Sequence, residues 1–525
     1  MDRGDKDRGD RDSGVSLAEL LAAFSLATDL GLGQPMEHLL RSWQIAARTG
    51  KYVGLADDQY ESLFYLAMLS WVGCVADAPE VSALFGDDIE FRSDAYGVDL
   101  AGASGLRFFT GHAGSGASVS RRLVATASLI ATGGRGVVEG MQSHCTTVST
   151  MAHQLGLPDA VGDGLRQFFT RWDGRGVPNG VGGTDIALPV RLFHLADVVE
   201  VHHRLGGVAG AVDVAGARRG KQFDPTIVDA FCEIAPAVLP EIGRQAELHE
   251  LIADDRTLRR SLSEAELDVA LEAVADFTDL RSLHRAGHSR GVADLAAAAA
   301  TSMRLPEDRV RDVRRAGLLH DIGLHGLPAT VLDKPGPLAA TEWERVRLSA
   351  YYTERVLARP SALARLGAIA AQAHERMDGS GYHRGSSGST IPVTGRILAA
   401  SCMFRALTEE RAHRRRRSVK EAATLLRTEV RAGRLDAEAA DAVLATAGVG
   451  GKRRTGPAGL TPREIEVLRM IAHGASTVDV ARGLGIAKKT AGTHIERIYV
   501  KTGSSSRSTA TLFALRNGLL DALDL

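Results

Sequence analysis

A single pattern occurs twice in this chain, and a repeat of that size leaves few folds open. Asp173-Gly174-Arg175-Gly176-Val177-Pro178 is answered by Asp378-Gly379-Ser380-Gly381-Tyr382-His383, an offset of 205 residues (378 − 173). Earlier in each copy the offset is 250: His38 falls on His288, and Ser70-Trp71-Val72-Gly73 on His320-Asp321-Ile322-Gly323. The difference of 45 residues (250 − 205) belongs to the first copy, and the glycine-rich stretch 102–136 is the natural place for it. A tandem of two related domains follows. Ala-, Leu- and Arg-rich segments at helical spacing, with only 5% aromatic residues, predict that the protein is all-α. At 525 residues the chain is too long for one core.

Residues 460–520 carry a different pattern. Thr461-Pro462-Arg463-Glu464 is a capping box with proline at the first helical position, so a helix is expected from there to about His473, stopped by Gly474. A second short helix is predicted over 477–484, ended by Gly485, and a third from Lys488. The third carries Lys488, Lys489, Thr490, Thr493, His494, Arg497 and Lys501, while Ile495 and Ile498 pack inward. A last helix is expected over 508–517. From residue 451 onward there are 12 Lys+Arg against 6 Asp+Glu, a balance of +6; the whole chain is −1, so the first 450 residues carry −7 (−1 − 6). A basic module on an acidic body suits an approach to phosphates.

This C-terminal segment resembles the LuxR-type helix-turn-helix family. The resemblance rests on Leu460-Thr461-Pro462-Arg463-Glu464, Glu466-Val467-Leu468, Ile471-Ala472, Gly474, Ala481, Leu484-Gly485-Ile486, Lys489-Thr490, His494, Ile498, Lys501, Gly503, Ser506-Arg507 and Ala514-Leu515. Ala491 and Gly492 depart from the family pattern. The resemblance implies a four-helix domain that binds double-stranded DNA as a homodimer, with the last helix at the subunit contact. On it, Lys488, Lys489, Thr490, Thr493, His494, Arg497 and Lys501 meet the duplex and Arg507 the backbone.

Between 282 and 447 stand Gly287-His288, Leu319-His320-Asp321-Ile322-Gly323, Lys334-Pro335-Gly336-Pro337-Leu338, His374-Glu375 and Asp378-Gly379-Ser380-Gly381-Tyr382. Adjacent imidazole and carboxylate at a helix end is a common way to offer two ligands to one metal ion. The segment resembles the HD-GYP family, helical phosphodiesterases in which a two- or three-metal cluster activates water against cyclic di-GMP. The positions the family uses for metal read His288, His320, Asp321, Ser349, Ala373, His374 and Cys402 here, and His38, Ser70, Trp71, His144, Phe168, Phe169 and Asp197 in the first copy. Leu324 and Arg405 also depart from the pattern. Tryptophan and two phenylalanines obstruct a polar metal cavity in the first copy. The second retains His288, His320, Asp321 and His374, enough for one divalent ion such as iron or manganese; a buried hydrogen-bonded pair is the competing reading of His320 and Asp321. Arg411 and Arg414–Arg417 with His413 form the densest positive cluster, read as a solvated face with phosphate binding as the alternative.

The expected organisation is therefore a disordered tail over 1–14, a degenerate HD-GYP-like domain over 15–245, a second over 246–447, a linker over 448–459 and the helix-turn-helix domain over 460–525. Cys74, Cys145, Cys232 and Cys402 show no pair at ligand or disulfide spacing, and no apolar run reaches membrane length, so a cytoplasmic protein is expected. The functional expectation is a transcription regulator whose tandem, largely inactive HD-GYP-like domains act as sensor or scaffold, answering a nucleotide or protein effector. The alternative is a metal-dependent phosphodiesterase with a regulatory DNA-binding tail.

Overall fold

The computed structural model describes residues 12–242, 252, 257–447, 457–517 and 519–520. It is all-α apart from one small sheet, and it divides into two compact units, Met1–Leu267 and Asp268–Leu525. Most of the expected linker, the expected boundary at 245/246 and residues 1–11 of the expected tail lie outside the described residues.

The sheet corrects one expectation. Asp12–Ser16 (β1) pairs antiparallel with Ser261–Ser263 (β2), so the end of the tail is a strand in which Val15 is buried. Backbone pairing with a partner some 245 residues on supplies order that an Asp- and Gly-rich sequence does not advertise. Ser16 then caps the next helix, its hydroxyl accepting from the Glu19 N–H at 3.1 Å while the Glu19 carboxylate accepts from the Ser16 N–H at 3.0 Å.

The first unit continues with α1 (Leu17–Gly31), α2 (His38–Tyr52), α3 (Asp57–Leu69), α4 (Gly73–Ala76), α5 (Ala78–Phe85), α6 (Asp88–Ala95), α7 (Gly102–His112), α8 (Val119–Ala131), α9 (Arg135–Gln154), α10 (Asp159–Arg166), α11 (Leu188–Arg218, bent at Gly207) and α12 (Pro225–Val238). The second holds α13 (Glu264–Asp279, which straddles the boundary), α14 (His288–Ser302), α15 (Glu307–Leu319), α16 (Ala329–Leu332), α17 (Ala340–Leu357), α18 (Ser361–Ala370), α19 (Val393–Thr408), α20 (Val419–Arg431) and α21 (Ala437–Thr446). The repeat is visible in the helix ends. α2 and α14 start 250 residues apart (288 − 38), as do α3 and α15 (307 − 57); α9 and α17 start 205 apart (340 − 135), as do α11 and α19 (393 − 188). The extra residues of the first copy form α6, α7 and α8, so the glycine-rich stretch is largely helical.

The same polar device starts α2 and α14. Glu37 and Gly287 precede them with φ 75° and 77°. Asp29 accepts the His38 and Leu39 N–H groups at 3.1 Å each, and Asp279 accepts the Ser289 N–H at 2.8 Å. Burial raises both carboxyls to about 7.

The second unit also contains the C-terminal helices α22 (Pro462–Ala472), α23 (Thr477–Leu484), α24 (Lys488–Thr502) and α25 (Arg507–Arg516). Thr461 and Glu464 form the expected capping box, and Gly485 and Gly503 end their helices in the left-handed region. Val467, Leu468, Ile471, Val480, Ala491, Ile498, Ala510 and Ala514 make the core of this domain. Ala286, just before α14, packs against that core.

Candidate metal centres and nucleic-acid interface

In the second repeat the structure brings His288, His320, Asp321 and His374 around one carboxylate. Asp321 Oδ2 lies 3.0 Å from His320 Nε2 and 3.6 Å from His288 Nε2, and Asp321 Oδ1 lies 3.4 Å from His374 Nε2. α14 supplies His288 as its first residue, the end of α15 supplies His320, and the turn after α18 supplies His374. The His320 Nδ1–H donates to the Gly317 carbonyl at 2.7 Å, which leaves Nε2 with its lone pair facing inward. Burial, with Arg285 nearby, outweighs the Glu409 carboxylate and pushes His288 down to about 3; burial and then Arg376 hold His374 at about 3. Burial, then the neighbouring imidazoles, lowers His320 as well. Three neutral imidazoles in one place suit metal ligation.

Three further residues belong to this centre. Cys402 stands where a carboxylate is expected, yet its Sγ lies 3.7 Å from His320 Nε2, and it converges with His288 and His320 so that all three donor atoms lie within 4.8 Å of one another. Burial raises the Cys402 thiol. Arg285 forms a buried ion pair with Asp321. Glu409 accepts from the His288 Nδ1–H at 2.6 Å.

Glu409 and Arg405 show how the second copy has been rebuilt. In the first copy Glu200 pairs with Arg41 at 2.6 Å. At the equivalent positions the second copy has Arg405 (200 + 205) and Gly291 (41 + 250), a reversal in which the arginine moves to the other helix. A Cβ on Gly291 would sit 2.2 Å from Arg405 Nη2, so glycine makes the room. The carboxylate reappears one turn on at Glu409, 3.3 Å from Arg405.

A pair of ions does not fit these residues. Ala373 offers no donor, the Ser349 hydroxyl donates to the Val346 carbonyl of its own helix at 2.7 Å, and a guanidinium already neutralises Asp321. One ion fits: His288, His320 and Cys402 would hold it, with His374 and Asp321 alongside.

In the first repeat the equivalent space is closed. Trp71 Nε1–H donates to both oxygens of Asp197 at 3.2 Å, and Phe168 meets the Trp71 ring edge-on at 4.9 Å. Tyr96, which follows α6 in the inserted segment, donates from its hydroxyl to Asp197 at 3.3 Å. His38 sits between Asp197 at 3.1 Å and Glu200 at 2.5 Å. Burial opposes charge here, but the hydrogen bonds to Asp197 and Glu200 outweigh it and raise His38 to about 10. A buried imidazolium is a cation in its own right and has no lone pair for a metal.

Two arginines of the expected solvated cluster are structural. Arg411 donates to the His284 carbonyl at 2.7 Å and pairs with Glu409 at 2.9 Å; Arg414 donates to the Leu407 carbonyl at 3.2 Å and the Glu409 carbonyl at 3.3 Å. Arg414 closes the end of α19, where helix carbonyls lack partners, and Arg411 ties that end to the segment before α14. Arg384, beside the Asp378 loop, pairs with Glu354 at 2.9 Å.

On α24, Lys488, Lys489, Thr490, Thr493 and Arg497 are exposed, His494 is half-buried, and Ala491 and Ile498 are buried on the opposite face. Two members of the expected set have tasks inside the domain. Lys501 Nζ pairs with Glu464 at 2.7 Å, and Arg507 donates to the Gly474 and Ala475 carbonyls at 3.4 and 3.2 Å. The Lys501 hydrogen bond, ahead of the Thr461 N–H, lowers Glu464 to about 2.

Residues 272–439 match the HD domain family, and residues 458–514 match the luxR family of bacterial regulatory proteins. The 3'3'-cGAMP-specific phosphodiesterase 3 of Vibrio cholerae serotype O1 is 31% identical over 404 residues, 76% of this chain and 87% of the relative. A cyclic di-GMP phosphodiesterase of Thermotoga maritima is 35% identical over 154 residues, 29% of this chain and 42% of that one. The crystal structure of a cyclic GMP-AMP specific phosphodiesterase of V. cholerae superposes with a TM-score of 0.59 at 27% identity, covering 83% of this chain and 98% of that chain. Among the described residues no single helix is long and apolar enough to cross a membrane.

Proposed function

The chain belongs to the HD-domain family that includes the 3'3'-cGAMP-specific phosphodiesterases, and from that premise we propose that it is a DNA-binding transcription regulator whose HD repeats sense a cyclic dinucleotide without hydrolysing it. The observation that carries this reading is α24: an exposed row of Lys488, Lys489, Thr490, Thr493 and Arg497 backed by buried Ala491 and Ile498. Such a helix enters the major groove, with cations on phosphates and polar side chains at base edges. The ligand class is that of the relatives, which are phosphodiesterases of 3'3'-cGAMP and cyclic di-GMP. What supports the loss of hydrolysis is the donor set: Cys402 stands where the family has a carboxylate, and Arg285 is paired with the one that remains, Asp321.

The contact between domains supplies a route. A Cβ on Gly287 would lie 3.0 Å from Leu515 of α25, and one on Gly474 would lie 3.0 Å from Leu283. The DNA-binding domain thus rests on the residues that begin α14, whose first side chain is His288. Occupancy at His288 and the seating of α25 share one short segment.

Fluorescence anisotropy with genomic operator fragments, with and without 3'3'-cGAMP or cyclic di-GMP, tests the proposal. A ligand-dependent change in DNA affinity, with no product by chromatography, is expected. DNA binding unaltered by either nucleotide would sink the sensing role, and turnover would sink the loss of catalysis. A second reading, a one-metal phosphohydrolase, is favoured by the neutral His288, His320 and His374. It requires stoichiometric iron or manganese that disappears in His320→Ala.

A further inference from the structure

The first repeat, closed around Trp71 and Asp197, gathers a second set of donors that shares only His144 with the positions the family uses for metal. Cys74 on α4, Asp77 directly after it and His144 on α9 place a thiol sulfur, a carboxylate oxygen and a ring nitrogen within 4.8 Å of one another. We propose that these three residues bind a single zinc ion in the first repeat, with water in the fourth position.

The orientation of His144 separates this arrangement from a catalytic cysteine–histidine pair. In a nucleophilic triad the two ring nitrogens face different partners, one the nucleophile and the other the orienting acid. Here the His144 Nε2–H donates to the Ser70 carbonyl at 2.7 Å, and Nδ1 faces the Asp77 carboxylate at 3.6 Å in the cluster that also holds the Cys74 thiol. Nδ1 is buried and has no hydrogen-bond partner; the nearest Asp77 oxygen is 3.6 Å away. One nitrogen fixed by a backbone carbonyl and the other aimed at a point shared with sulfur and oxygen is how metal-bound imidazoles are held. Tetrahedral zinc, with ligand bonds of about 2.0–2.3 Å, sets neighbouring donors about 3.3–3.8 Å apart, which the Nδ1–oxygen separation meets.

The surroundings fit an ion of this kind. Asp77 uses Oδ1 to accept from Arg92 Nη2 at 2.6 Å, which leaves Oδ2 for the site. The Arg92 charge is itself met by Asp88 at 2.5 Å, and Arg92 Nη2 also donates to the Cys74 carbonyl at 2.8 Å. Phe169 stands edge-on to the His144 ring at 5.0 Å and Phe168 lies parallel to it at 6.0 Å. Thiolate and imidazole in a dry apolar wall select a soft, four-coordinate ion over magnesium or calcium. Burial opposes charge on His144, but Cys74 and Asp77 outweigh it and raise its pKa well above the ordinary value, so the ion displaces the proton on Nδ1 as well as the Cys74 thiol proton, and both leave to solvent.

The second repeat provides an internal control. The positions equivalent to Cys74, Asp77 and His144 are Leu324 (74 + 250), Leu327 (77 + 250) and Ser349 (144 + 205). Leu324 and Leu327 there form a small apolar cluster with Val331. Cys74 and Asp77 are therefore donors particular to the first repeat, joined to His144, which stands at a position the family uses for metal.

The test uses full-length protein carrying Cys402→Ser, which removes the other thiol near imidazoles. Purified without chelator, it is expected to hold about one zinc per chain and, with cobalt(II), to show thiolate-to-cobalt charge-transfer absorption. Cys74→Ser in that background abolishes the absorption, and Arg92→Gln weakens zinc binding by about 10–100-fold. Chelation is expected to lower the melting temperature of the unsubstituted Cys74 protein, and zinc to restore it, a readout that stands if Cys74→Ser fails to fold. Absence of the charge-transfer band, a band that survives Cys74→Ser, or a melting temperature indifferent to chelator and zinc would each overturn the site.

Discussion

His38 and His288 begin equivalent helices and have opposite protonation habits. His38 is flanked by Asp197 and Glu200 and held at about 10, whereas burial keeps His288 at about 3. The signs follow from the ordinary value of 6.5. The stabilisation from His38 is complete below pH 6.5 and is lost as pH rises through about 10. That from His288 and His374 is complete above 6.5 and is lost as pH falls from 6.5 towards 3. Denaturant unfolding of full-length protein is expected to show the alkaline loss attenuated in His38→Gln and the acid loss attenuated in His288→Gln. Because His38→Gln leaves the buried Asp197 without its cation, while Glu200 keeps Arg41, it also costs about 3–5 kcal/mol near neutrality. At the second centre Arg285 occupies the electrostatic place of a metal on Asp321. Arg285→Gln combined with Cys402→Asp frees one carboxylate and adds another, and manganese affinity measured by calorimetry is expected to rise at least tenfold. Unchanged affinity would mean that Ala373 and Ser349, not these two residues, limit binding.

At the scale of elements, α24 is where function meets helix geometry. Lys489 is exposed on the first turn, beside the exposed Thr490 and Thr493, and in the proposed interface its contact is with phosphate in any sequence. Lys489→Ala is expected to weaken binding to all duplexes alike and to reduce the slope of log affinity against log salt by about 1. Arg497→Ala, if it alters preference among operators as well as affinity, marks a base contact. These helices were legible because caps and glycines are local: Thr461 with Glu464, Gly485 and Gly503 act within one turn of the residues they govern. The repeat was legible for a similar reason, since His38 and His288 or Asp173 and Asp378 compare like with like at fixed offsets. The long-range parts were not. β1 needs a partner at Ser261–Ser263, Tyr96 reaches Asp197 from the end of an inserted helix, and Arg285 meets Asp321 only because the segment between α13 and α14 lies against the end of α15. None of these pairs has a spacing that marks it. Glycines misled as well, because α7 and α8 form across a stretch whose composition reads as loop. Lys501 and Arg507 carry family positions, yet only the fold reveals that their first partners are Glu464 and the carbonyls closing α22.

At the scale of the molecule the question is what seats the DNA-binding domain on the second HD repeat. Gly287, Leu283 and Ala286 meet Leu515, Leu520 and Gly474, an apolar contact of modest size. Its polar edge is imperfect: Arg516 is largely buried near Asp276, burial lowers its pKa to about 10, and its Nε and Nη2 lack hydrogen-bond partners. A buried donor left unsatisfied costs about 1–3 kcal/mol, so the seat is one that a modest input can release. The first repeat shows how to release it without unfolding the HD bundle. Glu37 occupies the position of Gly287 at nearly the same φ, so a glutamate is compatible with that backbone and with the helix that follows. Gly287→Glu carries the first-copy residue into the second copy, at a strain of about 1–3 kcal/mol, and its Cβ falls 3.0 Å from the Leu515 side chain. Hydrogen exchange is expected to rise in α25 and in the 283–287 segment while α15 and α19 keep their protection. If α25 is the subunit contact that the helix-turn-helix resemblance implies, sedimentation will show more dimer and DNA affinity will increase. Exchange that rises throughout the second repeat would show instead that the substitution unfolds the bundle. Undisturbed α25 would show that the contact at Gly287 does not hold the domain, and with it the route from His288 to α24 would fail.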